Sequence, residues 1–322
     1  MKPAAAAAAI GRLATAVCQT ALRFAIVVVV VACLVFVLAD LLPGDATTGV
    51  VERGASSETV TAVRERLGLD RPRTERLLEQ LGGLAHADLG TTARGRPVRD
   101  VISEPLARTL LLGGLAFAIV ALIGIGAGTL LAWRSGRAAD RVIGVASTVV
   151  LCLPEFVVLT LLTVLFARWL GWLPAVVVPS SDGGVAITML VLPVLGLALP
   201  TTAWTVRIVR GAVADVLEMP HVQTALLDGL QPARIVARHV LPLALPAIAA
   251  SLATSCATLF GGAIVVETFA NYPGLGSVLS QGVEARDVPL VTGVIIVVTV
   301  VMVAAFAAAD VVRGLLPDVT PR

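Results

Sequence analysis

Residues 110–132 read Leu-Leu-Leu-Gly-Gly-Leu-Ala-Phe-Ala-Ile-Val-Ala-Leu-Ile-Gly-Ile-Gly-Ala-Gly-Thr-Leu-Leu-Ala, without one Asp, Glu, Lys or Arg. A helix crosses the hydrocarbon core of a bilayer in roughly 20 such residues. Lipid offers no hydrogen bonds, so a run of this kind must satisfy its own backbone as a helix. Reading outward, five further stretches have comparable length and hydropathy: 24–42, 142–167, 185–206, 240–266 and 288–309. The only charges within them are Asp40, near the end of the first, and Glu155, inside the third. Pro154, Pro193, Pro200 and Pro246 are expected to kink the helices that carry them.

The whole composition agrees. Hydrophobic residues make up 57% of the 322 and charged residues 14%, with a mean hydropathy of +0.93. Soluble domains carry about a quarter charged residues, and a water-facing monomer rarely exposes large apolar patches. The fold class is therefore an all-α integral membrane protein with six transmembrane helices, which excludes most soluble-enzyme functions.

Orientation follows from Arg and Lys in the short connections. With the N-terminus inside, the inner segments hold Lys2, Arg12, Arg23, Arg134, Arg137, Arg141, Arg207, Arg210, Arg234, Arg238, Arg313 and Arg322. The two short outer loops hold only Arg168 and Arg286. Both termini are thus placed in the cytoplasm. The first span carries a basic start and a Val30-Val31-Ala32-Cys33 box, yet its apolar run continues past Cys33. It is read as a retained helix and not a cleaved signal.

The long loop 43–109 reads as folded. Ser56 or Ser57 suits the cap of a short helix with Glu58 in its first turn, an apolar stripe of Val60, Val63 and Leu67, and Gly68 at its end. Pro72 suits the first turn of a second helix running to Gly82 and Gly83. The organisation expected is 1–109 as the first span with its folded outer loop, 110–313 as a five-helix core, and 314–322 as a cytoplasmic tail.

Chemistry within the chain is sparse. Lys2 is the only lysine, so no GxxxxGK[ST] phosphate loop exists. Cys18, Cys33, Cys152 and Cys256 have neither metal-site nor disulfide-framework spacing, and His86, His221 and His239 are far apart. No metal site and no paired intramembrane catalytic set is expected. Glu155 is the odd group, because an ionisable side chain within a span is costly and faces a cavity or a partner. It is a candidate translocation-path residue attracting a cationic group; otherwise Pro154 opens a wet pocket in which it is merely tolerated. Gly124 and Gly128, with Gly113 and Gly114, permit close helix approach.

The stretch between the fourth and fifth spans, within a coupling region at about 211–239, is the most informative. Gln223-Thr224-Ala225-Leu226-Leu227-Asp228-Gly229 is a short helix broken at Gly229, and Pro232 opens a second helix bearing Arg234 and Arg238 on one face. A projecting helical hairpin suits a partner's groove; an ordinary solvated connector is the plain alternative.

This stretch resembles the cytoplasmic signature of permease subunits from binding-protein-dependent ATP-binding-cassette (ABC) importers: Glu-Ala-Ala, three residues, Gly, nine residues, Ile, one residue, Leu-Pro. Here Ala225, Gly229, Leu241 and Pro242 stand at the required spacing, Gln223 and Thr224 replace the first two positions, and His239 replaces the Ile. The resemblance narrows to the dipeptide/oligopeptide/nickel branch, to the member with the long first outer loop. It rests on Leu41-Leu42-Pro43-Gly44-Asp45, Leu67-Gly68-Leu69-Asp70-Arg71-Pro72, Asp88-Leu89-Gly90-Thr91-Thr92, Gly95-Arg96-Pro97-Val98 and Val266-Glu267-Thr268-Phe269. Tyr272-Pro273-Gly274-Leu275-Gly276 and Ala285-Arg286-Asp287 complete it, and the ending Leu315-Leu316-Pro317-Asp318 departs slightly.

The resemblance implies a type I ABC importer permease fold in a bacterial inner membrane. It implies a non-enzymatic subunit that forms half of a translocation path for peptides or related small solutes. Partners would be a second homologous permease, two P-loop ATPase subunits or one fused chain, an extracytoplasmic binding protein and the bilayer, with no nucleic acid. No cofactor would bind this chain; ATP and Mg would be used by the ATPases. Gln223, Thr224, Ala225, Asp228, Gly229, Leu241 and Pro242 would form the ATPase-coupling segment, where a side chain at Gly229 would meet both a backbone and a packing penalty. Glu267, Tyr272, Pro273, Gly274, Arg286 and Asp287 would lie in the last outer segment, as outer gate or docking surface for the binding protein. The rival reading is an ion-coupled secondary carrier, which ordinarily needs several buried ionisable groups where this chain offers little beyond Glu155.

Overall fold

The computed structural model describes residues 21–38, 61, 65, 71–86, 88–178 and 185–315. The expected first outer helix near 56–68 lies outside them except for Thr61 and Glu65, both helical. Asp40, the stretch 41–45 and residues 316–318 also fall outside.

Among the described residues the chain is helical. α1 spans Ala21–Leu38, α2 Arg73–Ala85, α3 Val98–Trp133, α4 Ala138–Leu151 and α5 Glu155–Leu162. α5 continues as a π-helical turn over Thr163–Trp169. α6 spans Ile187–Leu217, α7 Pro220–Leu227 and α8 Pro232–Ile235. A second π turn, Val236–Val240, leads into α9, Leu241–Ala270. α10, Leu275–Glu284, and α11, Val288–Leu315, complete the order. Pro72 caps α2 at the place expected for a helix start.

Among the described residues five helices are long and apolar enough to span a membrane: α1, α3, α6, the α8–α9 run and α11. α3, α6 and α11 outrun the apolar cores that announced them; α3, for example, begins at Val98 and not at 110. The third expected span, 142–167, needs correction. It is two helices bent by 107° at a break between Leu151 and Glu155, and it makes a sixth crossing only if the pair is counted as one span. Pro154 has no N–H to donate and pushes Leu153 away from the helical region, so the chain leaves α4 there. The other prolines, Pro193 and Pro200 in α6 and Pro246 in α9, sit inside helices that continue through them.

The most extensive helix contact is α3 against α6, and α9 packs on α6, α11 and α3. α6 is the most enclosed span and α1 the least. Small residues set the α3–α6 distance. A Cβ on Gly124 would stand 2.5 Å from Thr205 Cγ2, and one on Gly128 would stand 2.8 Å from Val209 Cβ and 2.9 Å from the Val206 carbonyl. A Cβ on Gly113 would stand 3.0 Å from the Phe260 ring, whereas one on Gly114 would meet open space. Gly128→Ala is therefore expected to push the helices apart and cost about 1–3 kcal/mol, as overpacking does. Thermal unfolding in detergent would read this as a lowered midpoint, with Gly114→Ala unchanged.

Three apolar clusters divide the bundle along its length. One holds Leu112, Val120, Leu159, Leu197 and Leu259 in the middle. A second packs Val209, Val213, Val222, Ile235 and Val240 beneath α7. A third gathers Val98, Ile102, Leu275, Leu290 and Val294 at the opposite end. An ion pair ties α4 to α6: Arg210 donates through Nε and Nη2 to both Asp140 oxygens at 2.6 and 2.7 Å, and Gly136 N–H adds a 3.1 Å bond. The two partners stand 70 positions apart in sequence, so only the packing of α4 on α6 brings them together.

Candidate functional site

Three features stand at successive depths. The first is the hairpin of α7 and α8. Pro220 occupies the first turn of α7, where its missing N–H costs nothing. Val222 and Ala225 are buried against the base of α6 and α9, while Leu227 at the tip is 88% exposed. Gly229 adopts φ +73°, Leu230 N–H bonds to Ala225 O at 3.3 Å, and Gly229 N–H bonds to Leu226 O at 3.1 Å. That pair of bonds is a Schellman cap, which needs a left-handed residue and so favours glycine. Gln223 Nε2 donates to Leu217 O at 2.7 Å and holds α7 against the end of α6. Thr224 donates to Pro220 O at 2.9 Å, and Asp228 is exposed. The expected packing penalty at Gly229 is corrected: a Cβ there meets nothing within 4 Å, so only the backbone penalty is internal to the chain. Leu241 and Pro242 lie just beyond the π turn, at the start of α9. Pro242 offers no N–H to the Arg238 carbonyl, a place where the helical register slips readily.

The second feature is the α4–α5 break. Glu155 opens α5 there and lines a cavity of about 500 Å³ with Cys152, Pro200, Thr201, Trp204, Thr254 and Thr258. Glu155 is thus at a helix start beside a cavity, not in the middle of a kinked span. Trp204 and the threonines come from α6 and α9, and the sequence gave no sign that they converge on Glu155.

The third is a latch at the far end of α9. Glu267 lies inside α9 and is fully buried. Its Oε1 accepts from Thr109 Oγ1 at 2.6 Å and its Oε2 from Gly276 N–H at 2.7 Å; Thr109 Oγ1 in turn accepts from Leu275 N–H at 2.8 Å. The carboxylate thereby caps α10 and joins it to α3. Tyr272 is buried too and donates its OH to Arg108 O at 2.9 Å. Burial, with the Glu267 carboxylate nearby, pushes its ionisation up to about 12, so the hydroxyl remains a donor. Asp287 accepts from Ala93 N–H at 2.9 Å and Leu290 N–H at 3.1 Å, fixing the 88–97 loop to the start of α11. Gly274 and Gly276 are small because they must be: a Cβ on Gly274 would stand 2.3 Å from Glu267 Oε1, and one on Gly276 2.5 Å from Ile264 O. The reading of these residues as an outer-loop surface is therefore corrected for Glu267, Tyr272, Gly274 and Asp287, which are interior. Pro273 is half-buried and Arg286 exposed. Among the described residues no group of three His, Cys, Asp or Glu side chains is placed to hold a metal.

Spans packed on short glycine contacts, a buried latch at one end and a capped helical hairpin exposed at the other define a polytopic helical membrane protein. Residues 124–318 match the family described as the inner membrane component of binding-protein-dependent transport systems, and the chain belongs to that family. It is 34% identical over 290 residues to a putative peptide transport system permease protein of Brucella abortus, covering 88% of this chain and 92% of that one. It is 30% identical over 283 residues to the oligopeptide transport system permease protein OppB of Haemophilus influenzae, covering 87% and 90%. The OppB of Escherichia coli is 31% identical over 266 residues, covering 82% and 85%. The fold resembles that of the MetNI methionine ABC transporter in an inward-facing conformation, with a TM-score of 0.52 at 20% identity over 66% of this chain and 94% of that one. The chain is a multi-pass inner-membrane permease subunit of an ABC importer with the type I fold, a transport component and not an enzyme. Membership implies ATPase and substrate-binding protein partners.

Proposed function

We propose that this chain is one of two permease subunits of an ATP-driven peptide importer. The observation that carries the coupling assignment is the hairpin: a Schellman-capped helix with an exposed Leu227 at its tip and open space at Gly229. An apolar side chain on a projecting helix fits a partner's groove, and Gln223–Gly229 with Leu241 and Pro242 is the segment that meets the ATPases. Peptides are the cargo named for the relatives at 30–34% identity, and they are the class proposed here. ATP and Mg are consumed by two P-loop ATPase subunits, not by this chain. The arginine distribution supports cytoplasmic termini and hairpin, with 1–109, 110–313 and 314–322 as the divisions of the chain. On that orientation Pro273 and Arg286 lie at the outer end to meet the binding protein, and Glu267, Tyr272 and Asp287 hold that end in shape. Glu155 lines the path.

The test is purification of the tagged chain from its native membrane in mild detergent, with Leu227→Cys present for bismaleimide crosslinking. A second six-span permease and P-loop ATPases are expected to co-purify, and Leu227→Cys to crosslink to an ATPase. A chain that purifies alone and uncrosslinked would point to a secondary carrier.

A further inference from the structure

The cavity at the helix break has an unusual balance of donors and acceptors. Among the described residues no hydrogen bond or ion pair engages the Glu155 side chain, and no Arg, Lys or His lines the cavity. Three threonine hydroxyls share the wall, and each spends its proton on its own helix. Thr201 donates to Leu197 O at 3.4 Å, Thr254 to Ala250 O at 3.0 Å and Thr258 to Thr254 O at 3.0 Å. A hydroxyl that donates to its own backbone still has an acceptor lone pair to offer. Trp204 adds an aromatic ring, 41% exposed, and an aromatic face attracts cations. Carboxylate, hydroxyl oxygens and ring all favour one kind of visitor: a compact cation with several N–H donors. The amino end of α5 steadies the Glu155 charge but does not neutralise it, and an uncompensated carboxylate at membrane depth is costly unless something cationic answers it.

We infer that Glu155, Trp204 and the three threonine hydroxyls form a recognition site for a primary ammonium group on the transported molecule. The inference rests on the reading of this chain as a peptide permease, and it makes the free amino terminus the part of the cargo that this subunit holds. The site sits where α4 and α5 meet at 107°, so a change in that angle would move Glu155 relative to the threonines of α6 and α9 and alter its hold on the cation.

Cys152 lines the same cavity and is a free, exposed thiol, which provides the readout. In the assembled importer with Cys18, Cys33 and Cys256 changed to Ser, Cys152 is labelled with a trimethylammonium or a sulfonate methanethiosulfonate, each rate normalised to a free thiol in solution. The cationic reagent is expected to react about tenfold faster, the factor a nearby carboxylate produces at an intermediate dielectric. Glu155→Gln should abolish that preference, and Glu155→Asp should keep most of it. Trialanine should protect Cys152 while N-acetyl-trialanine at the same concentration does not. Equal normalised rates in the unaltered cavity, the same preference in Glu155→Gln, or protection by the acetylated peptide would each overturn the site. Uptake of trialanine by the same assembly is measured alongside. Absent uptake with a cation-selective, amine-protected Cys152 would sink the peptide-importer reading and leave the ammonium site standing.

Discussion

Gly229→Arg should abolish uptake while the protein still inserts and accumulates normally. The native φ of +73° costs a non-glycine residue about 1–2 kcal/mol, which is small against a typical total stability of about 5–15 kcal/mol. Among the described residues, its chain neighbours aside, nothing lies within 4 Å of a Cβ at that position, so the arginine finds room in the isolated subunit. The damage falls on the partner surface, where a long charged side chain would stand beside the exposed Leu227 tip. Comparison variants separate the two effects. Gly229→Asn tolerates the left-handed backbone with little bulk and should keep uptake within about twofold of the parent. Arginine should reduce it by more than about tenfold, with ATPase co-purification reduced in parallel. Normal uptake by Gly229→Arg would remove the coupling assignment.

The second large effect is expected at the latch. Glu267→Ala removes the acceptor for both Thr109 Oγ1 and Gly276 N–H and leaves a void in a fully buried site. A buried donor stripped of its partner costs about 1–3 kcal/mol, so two of them place the loss at about 2–6 kcal/mol. The readouts are the thermal midpoint in detergent and the membrane level of the subunit. Thr109→Val also breaks two bonds, its own to Glu267 and the one it accepts from Leu275 N–H, but valine fills the threonine's space and leaves no void, so it should cost less alone. The two substitutions should be clearly non-additive in a double-mutant cycle, since both break the same Thr109–Glu267 bond. Full additivity would mean that the residues act separately and that the latch is not one unit. Gly276→Ala offers an independent check: its Cβ would stand 2.5 Å from the Ile264 carbonyl and 2.9 Å from its Cα. Backbone cannot rotate away, so this change should match Glu267→Ala in severity, although it removes no polar group.

What could be read from sequence depended on contiguous residues. The apolar runs announced the helices because a lipid-exposed backbone has no other way to satisfy itself. The Gly229 cap was legible because helix termination is local chemistry, and α7, Gly229 and α8 fall where the pattern placed them. Pro154 was legible as a disturbance but not as a 107° turn: a missing N–H breaks the helix, and neighbouring packing chooses the angle. Glu267 looked like a loop acid because the sequence shows only its charge; its partner Thr109 is 158 positions away. The same holds for Glu155, whose neighbours Thr201, Trp204, Thr254 and Thr258 arrive on two other helices. Sequence alone therefore determined where the apolar helical cores lie, where the hairpin turns at Gly229 and which family the chain belongs to, since each is written in adjacent residues. Which polar groups are buried together, and whether a carboxylate is satisfied like Glu267 or left open like Glu155, was decided only when distant segments closed on one another.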